Sequence, residues 1–155
     1  TSFEENALIK ARTAVAKLDL PVLADDSGLV VDALNGAPGV HSARDAGDHD
    51  DAANNAKLLR ELTGVPATQR TAHFHTTIVA LKPDGAKLET SGRVEGQILT
   101  QPRGQNGFGY DPLFMPKEFL GRTMAELTPA EKNQISHRGR ALRAFMEQFA
   151  GWWQA

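Results

Sequence analysis

The sequence predicts a single α/β domain in which helices pack against a β-sheet. Three observations indicate this class. Apolar residues recur at helical spacing in stretches that open with capping residues. Other stretches show the short apolar or alternating pattern of strands, most clearly residues 71–81. A length of 155 residues with 41% hydrophobic content suits one domain with its own core.

Helices are predicted at three places, near residues 3–18, 51–63 and 137–150. Each begins with a side chain that can accept from a free backbone N–H: Ser2, then Asp50 or Asp51, then Ser136. Pro21 is expected to end the first helix, since proline cannot continue one. The helices then present apolar stripes that can face a sheet.

Strands are predicted at residues 22–24, 29–31 and 71–81, with one or two more between 87 and 100. Asp25-Asp26-Ser27-Gly28, between the first two strands, is a turn by composition. The region from 87 to 100 is expected to kink near Gly92 and Gly96. A long loop rich in glycine and proline follows over residues 101–116, and Thr128 to Glu131 has the pattern of a second capping box.

Composition argues against several classes of protein. The net charge of −2 lacks the excess of Lys and Arg that a nucleic-acid surface needs, so no nucleic-acid partner is expected. With no cysteine, disulfides and thiolate metal sites are excluded. No apolar run approaches the roughly 20 residues of a membrane span, and no cleavable leader begins the chain. These features agree with a cytoplasmic protein that has no membrane partner.

The first candidate site is Asp25-Asp26-Ser27-Gly28, which follows an apolar strand directly. Mg²⁺ prefers hard oxygen ligands and usually takes one or two protein carboxylates, with water and phosphate completing its shell. A carboxylate at this position can also accept a proton from an attacking water. The alternative is a turn in which Asp and Ser satisfy their own backbone.

The second candidate is the loop from Gly104 to Pro112, with Phe108, Gly109, Tyr110 and Asp111 as candidate nucleotide contacts. Glycines let the backbone approach a flat ligand, aromatic rings stack on bases, and a carboxylate can accept from a purine ring N–H. The alternative is a flexible loop with its phenylalanine tucked into the core.

Basic residues near helix ends form the third group. Lys132, His137 and Arg138 surround the predicted start of the last helix, where they can donate to an oxo group or a phosphate. The alternative is a plain Ser136 cap with solvated basic residues. Lys10 lies one turn beyond Asn6 on one helix face and suits a phosphate, although such a lysine is more often simply solvated.

Two further features stay open from the sequence. His73 and His75 share one face of a strand, which suggests half of a zinc site, but no third ligand is evident. We therefore interpret them as half-buried histidines with protein partners. Arg44 is either a phosphate contact or part of a surface ion pair.

In order along the chain, these segments resemble the inosine triphosphate pyrophosphatase family, also known as dITP/XTP pyrophosphatases. The matching stretches are Ser2-Phe3-Glu4-Glu5-Asn6-Ala7 with Lys10-Ala11, Ala24 to Leu29, Gly36 to Val40 with Ser42-Ala43-Arg44, Gly107 to Pro112, Ala125-Glu126-Leu127, Glu131-Lys132 and Ile135 to Gly139. Each motif alone is moderately specific, but the ordered set covers nearly the whole chain.

The resemblance implies hydrolysis of ITP, dITP and XTP to the monophosphate and pyrophosphate, with Mg²⁺ as cofactor. By this resemblance Asp26 is the catalytic proton acceptor and a Mg²⁺ ligand, and Asp25 supports it. Ser27 contacts the nucleotide and Lys10 faces the phosphates.

The resemblance also implies a base pocket. Phe108 stacks on the base and Asp111 reads it from the same loop. Lys132, His137 and Arg138 complete the pocket and favour a 6-oxo group.

For the fold, the resemblance implies an elongated, mixed, twisted sheet flanked by helices, with two lobes and a cleft. It also implies a homodimer, which would give cover to Trp152 and Trp153. The family's opening strand, phosphate loop and second metal-binding glutamate have no counterpart in residues 1–155, which we interpret as an N-terminal truncation, and His41 stands where an aromatic is usual. A non-catalytic nucleotide-binding remnant is therefore the alternative function.

Overall fold

Residues 2–155 are described by a computed structural model, in which helices pack on one β-sheet. The helices are α1 (Phe3–Leu18), α2 (Asp51–Glu61), α3 (Pro129–Ile135) and α4 (His137–Gln154), and the strands are β1 (Val22–Val31), β2 (Thr71–Leu81), β3 (Lys87–Ile98) and β4 (Phe114–Pro116). The predicted α/β class is confirmed. The three predicted helices are present, with α2 ending at Glu61 and α4 extending to Gln154.

The helix starts follow the local chemistry of the sequence. Four capping side chains accept the backbone N–H three residues further on, and these are Ser2, Asp50, Thr128 and Ser136. At Thr128 the capping box is complete, because the Glu131 carboxylate accepts the Thr128 N–H at 3.0 Å. Helix α1 ends at Leu18, before Pro21 is reached, and is followed by Asp19, which has a left-handed φ of 51°.

The sheet has the strand order β1-β2-β3-β4, and all three strand pairs are antiparallel. Within residues 2–155 the sheet is therefore antiparallel, where the resemblance implied a mixed one. In the part of the chain that the structure describes, strand β1 forms one edge of this sheet: its ladder runs to β2, and on its other side Val30 makes an isolated bridge to Pro38. That position lets residues 25–29 of β1 border a cleft.

The predicted turn at Asp25-Asp26-Ser27-Gly28 is wrong, because these residues lie inside the continuous strand β1. Asp26 pairs with Thr77 and Ser27 with Thr76 in the ladder to β2. Aspartate and glycine are depleted in strands on average, but that tendency is weak compared with pairing along a whole neighbouring strand. The ladder therefore overrides the local turn preference.

In the second half of the chain, one of the one or two predicted strands is present and the predicted loop needs correction. Residues 87–98 form one strand, in which Gly92 and Gly96 leave room for α4 and for Phe114. The loop predicted over 101–116 ends earlier, since a 3-10 turn and the short strand β4 occupy its last residues. Pairing of β4 with β3 supplies the backbone partners that a loop would lack.

Helices α1 and α4 cover opposite faces of the sheet. Val79 of β2 packs against Ala7 and Ala11 of α1. The neighbouring Ile78 points the other way and packs against Phe145 of α4. The largest core cluster lies further along the strands and includes Leu29, Val31, Leu58, Phe74, Phe114 and Met124. In the described residues, no helix combines the length and apolar character that crossing a bilayer requires.

The close approach of α4 to β3 generates a stability prediction. A Cβ at Gly92 would overlap the His137 carbonyl oxygen and the Ala141 backbone nitrogen. Gly92→Ala should therefore lower the free energy of unfolding by about 1–3 kcal/mol, as overpacking does. Chemical denaturation measures it.

The control is Gly151→Ala near the end of α4, where a Cβ meets no atom within 4 Å. This variant should be neutral or more stable by up to about 1 kcal/mol, since alanine favours helix. Equal stability of both variants would contradict the close packing of α4 on β3.

Candidate active site

A cleft of about 420 Å³ lies beside β1, between α1, the start of α2 and the loop that precedes β4. Of the eleven site residues predicted from the sequence, ten line it: Lys10, Asp25, Asp26, Ser27, Phe108, Gly109, Tyr110, Asp111, His137 and Arg138. The remaining one, Lys132, lines a neighbouring cavity of about 630 Å³. The two cavities share Phe108, His137 and Arg138, so the tertiary structure brings all the predicted site residues to one region.

Helix α1 holds both carboxylate oxygens of Asp26. Asn6 donates its side-chain amide to Oδ2 at 3.3 Å, and Lys10 Nζ lies 3.3 Å from Oδ1. Asn6 and Lys10 are one helical turn apart, which places them on one face as predicted. The Asp26 side chain is only 14% exposed, so its direction into the cleft is fixed by these two partners.

Asp25 is held by a different helix. Adjacent residues of a strand point to opposite faces, so the Asp25 and Asp26 side chains leave β1 in opposite directions. Asp25 Oδ2 accepts from Arg138 of α4 at 3.3 Å, and both side chains are about half exposed. Exposed pairs of this kind contribute about 0–1 kcal/mol, so Asp25 is held less firmly than Asp26.

Asp111 organises the loop that carries Phe108. It is buried and accepts both the Phe108 N–H at 3.1 Å and the Lys132 ammonium at 2.6 Å. Phe108 is 62% exposed, which excludes the alternative of a phenylalanine tucked into the core. Lys132 Nζ lies 4.5 Å from the ring centroid. An exposed ring beside a buried ion pair offers a stacking surface and polar groups to a flat base.

His137 begins α4 and borders both cavities. Its ring stacks on Phe74, with 4.9 Å between the ring centroids, and its Nδ1 is buried without a partner among the described residues. Burial, reinforced by the positive charges of Arg138 and Lys132, lowers the pKa of His137 to about 3. The imidazole is therefore neutral at physiological pH and carries one N–H donor.

Ser27 and Tyr110 line the cleft with polar groups that already have protein partners. Ser27 Oγ shares a 2.8 Å hydrogen bond with Thr76 Oγ1. The Tyr110 hydroxyl donates to the Ser42 carbonyl at 2.8 Å, and burial raises the pKa of Tyr110. These bonds fix the walls of the cleft. Their roles in substrate binding stay predictions.

The histidine pair on β2 lies away from this cleft. His75 stacks on Phe3, and its Nε2 is 3.5 Å from a Glu4 carboxylate oxygen. His73 Nδ1 is 3.2 Å from an Arg93 guanidinium nitrogen. Both rings are half-buried with protein partners, as interpreted from the sequence. Burial is the largest cause that lowers the pKa of each.

Comparison with known proteins decides the family. A model of the Ham1 family matches residues 1–148. The chain belongs to the Ham1 family. A dITP/XTP pyrophosphatase of Lactiplantibacillus plantarum is 64% identical over 98% of this chain and 75% of its own length. A dITP/XTP pyrophosphatase of Geobacter sulfurreducens is 57% identical over 97% of this chain and 75% of its own length. These relatives confirm the resemblance seen in the motifs.

Solved Ham1 structures confirm the fold. The Ham1 protein of Staphylococcus aureus superposes with a TM-score of 0.91 at 44% identity, covering 97% of this chain and 78% of that one. A HAM1 protein of Coxiella burnetii gives a TM-score of 0.90 at 47% identity, covering 97% and 77%.

The Ham1 cleft also contains residues that the sequence did not single out. His49, Asp51 and Asn54 line it from the start of α2 and the turn before it. Asp51 accepts the N–H of Gly109 at 2.9 Å. No local sequence pattern predicts this contact, because Asp51 and Gly109 are 58 residues apart. Arg44, left open from the sequence, is exposed and forms no ion pair within residues 2–155.

The buried neutral imidazole generates a pH prediction. An unfolded histidine titrates near 6.5, whereas the pKa of His137 is about 3 in the folded chain. Between pH of about 6.5 and 3 the unfolded state therefore binds a proton on this histidine that the folded state does not. As the pH drops through this range, His137 makes the free energy of unfolding fall. In NMR titration, the His137 ring signals should stay those of neutral imidazole from pH 8 to 5. His137→Asn assigns the signal, and a midpoint above pH 6 would show that the ring is solvated.

Proposed function

We propose that this Ham1 chain hydrolyses ITP, dITP and XTP to the nucleoside monophosphate and pyrophosphate, and so cleanses the nucleotide pool. The observation that carries the proposal is the meeting of an oriented carboxylate, Asp26, with an exposed stacking ring, Phe108, in one cleft. The names of the dITP/XTP pyrophosphatase relatives, at up to 64% identity, support the same substrate class.

The cofactor proposed is Mg²⁺. The donor chemistry fits, because Asp26 presents carboxylate oxygens at a cleft edge where phosphate and water can supply the other ligands. Asp26 is the proposed ligand, with Asp25 in support. When bound, the ion would neutralise phosphate charge and help to orient the nucleophile. The Lys10 ammonium, which lies 3.3 Å from Asp26 Oδ1, would also contact the phosphates of a bound nucleotide.

Asp26 is the proposed proton acceptor. Water attacks the α-phosphorus in line, the bond from that phosphorus to the bridging oxygen breaks, and pyrophosphate leaves. The proton of the water passes to the Asp26 carboxylate, whose direction is set by Asn6 and Lys10. Lys10 also stabilises negative charge on the departing pyrophosphate.

Selectivity is proposed to come from groups around Phe108. Asp111 is acceptor and Lys132 donor in one buried pair, while Arg138 and neutral His137 add donors to the adjoining wall. These donors suit a 6-oxo purine. The 6-amino group of ATP would leave them unpaired, which is costly in a buried site.

The remaining proposals concern the whole chain. We propose that residues 1–155 act as one nucleotide pyrophosphatase domain in the cytoplasm, without a nucleic-acid or membrane partner. We also propose a homodimer. Of the two tryptophans expected to need cover, Trp153 is 49% exposed, while Trp152 already packs against the core of α4 and β2.

The role of Asp26 predicts that Asp26→Asn loses turnover while the fold survives. Asparagine keeps the volume but cannot accept the proton and binds Mg²⁺ weakly, so the rate should fall by about 10²–10⁴-fold. Pyrophosphate release from ITP at saturating Mg²⁺ is the assay, and circular dichroism checks the fold. Asp25→Asn should cost less, because Asp25 is held only by an exposed ion pair.

Asp84→Asn, in the β2–β3 turn, is the matched control and should keep full activity. A folded Asp26→Asn variant with more than about a tenth of the activity would fall below the range for a general base. If the unmodified chain bound ITP without releasing pyrophosphate, the alternative of a non-catalytic nucleotide-binding protein would replace the enzyme.

The base pocket predicts a ranking of substrates. ITP and XTP should be turned over far better than ATP or GTP, since ATP lacks the 6-oxo group and the 2-amino group of GTP is expected to clash or to go unpaired. Comparing kcat/KM for the four triphosphates under one set of conditions measures this. Equal values for ATP and ITP would refute the proposed pocket.

A further inference from the structure

We propose that Asp51 and Asn55 of α2 position Phe108 for stacking and thereby set the preference of the cleft among purine bases. Both act through the backbone of Gly109, the residue after Phe108, so they are positioning residues and not catalytic ones. The inference rests on the proposed function, because it concerns how that cleft holds its base.

One face of α2 holds both backbone polar groups of Gly109. The Gly109 N–H donates to Asp51 Oδ2 at 2.9 Å, and the Gly109 carbonyl accepts from Asn55 Nδ2 at 2.9 Å. Asp51 and Asn55 are four residues apart in the helix, which puts them side by side. The loop is thus fixed at two atoms of a single residue.

The amide of Asn55 has only one orientation that satisfies its partners. Its Nδ2 also donates to the Asp51 carbonyl at 2.8 Å, and carbonyl oxygens can only accept. The nitrogen therefore faces both carbonyls. Oδ1 is buried without a partner within residues 2–155, which costs stability, so the useful part of this amide is its donor.

Phe108 needs this support because it is largely exposed to solvent. The residue is 62% exposed, and Gly109 has a left-handed φ of 59°, a conformation that side-chain-bearing residues rarely adopt. The backbone on either side of Phe108 therefore helps to determine where the ring lies, together with Lys132 over the ring. Asp111 fixes the Phe108 N–H on one side, and Asp51 with Asn55 fix Gly109 on the other.

Release of Gly109 should affect base binding more than chemistry. The Asp26 carboxylate is held by α1 and has no bond to this loop, so the reacting end of the cleft stays intact. A displaced Phe108 would stack less well on any base. It would also lie differently from Asp111 and Lys132, which are proposed to distinguish a 6-oxo from a 6-amino purine.

The test uses Asp51→Ala and Asn55→Leu. Asp50 remains as the cap of α2 in both, since it accepts the Ala53 N–H at 3.0 Å. Loss of the charged acceptor in Asp51→Ala should raise KM for ITP by about tenfold, and loss of the neutral donor in Asn55→Leu by several-fold. We expect kcat to stay within about twofold and the preference for ITP over ATP to fall in both.

Glu61→Ala is the matched control, because it removes an exposed carboxylate from the far end of the same helix. Within residues 2–155 the ion-pair partner of Glu61 is Lys57. The control variant should leave KM, kcat and the base preference unchanged. Amide hydrogen exchange of Gly109 gives a direct readout of the contact and should be faster in Asp51→Ala than in the unmodified chain.

Unchanged KM and unchanged ITP-to-ATP preference in both variants would overturn the inference, and so would equal exchange rates for the Gly109 amide. Failure of the proposed function is distinguishable, since it means that the unmodified chain turns over no triphosphate. In that case the dissociation constant of IMP, measured by calorimetry, is compared in place of KM. Binding about tenfold weaker in Asp51→Ala would support the positioning role, and equal binding would refute it.

Discussion

The register of β1 against β2 decides which helix the Asp25 and Asp26 carboxylates can contact. Asp26 lies opposite Thr77, and Ser27 lies opposite Thr76, with which it shares a hydroxyl hydrogen bond of 2.8 Å. In this register Asp26 meets α1 and Asp25 meets α4. Because side chains alternate along a strand, a slip by one residue would exchange the two. The register of the sheet therefore decides which helix the Asp26 side chain faces. Only then can Asn6 and Lys10 of α1 orient its carboxylate.

The close approach of α4 to the sheet likewise decides where His137 and Arg138 lie in the cleft. Gly92 allows the first turn of α4 to lie directly on β3, and this places His137 against Phe74. Burial there keeps the imidazole neutral, since it lowers the pKa of His137 to about 3. Arg138, the next residue, is half exposed and reaches Asp25. One helix start thus supplies a neutral group and a cation to neighbouring parts of the cleft.

Helix starts and the positions of most strands were predictable from the sequence because they depend on local chemistry. Ser2, Thr128 and Ser136 cap helices through amides three residues away, so short-range patterns locate them. The ordered motifs around Asp26 and Phe108 indicated a family that comparison confirmed. The pattern failed at residues 25–28, where turn-forming side chains lie within a strand, because a ladder to a distant segment outweighs local preference.

What the sequence alone determined about this protein is its α/β class, its capped helices, its family and the residue types from which a metal-assisted phosphate chemistry can be built. Only the tertiary structure decided which residues contact one another in the cleft. Only the packing of α1 on β1 shows that Asn6 orients Asp26, and only the approach of α2 to the loop shows that Asp51 holds Gly109. The buried Arg70, which donates to the carbonyls of Leu62, Ile98 and Leu99, was equally hidden. The physical reason is that most of these contacts join residues 20 or more positions apart, and local sequence patterns carry information only about neighbours.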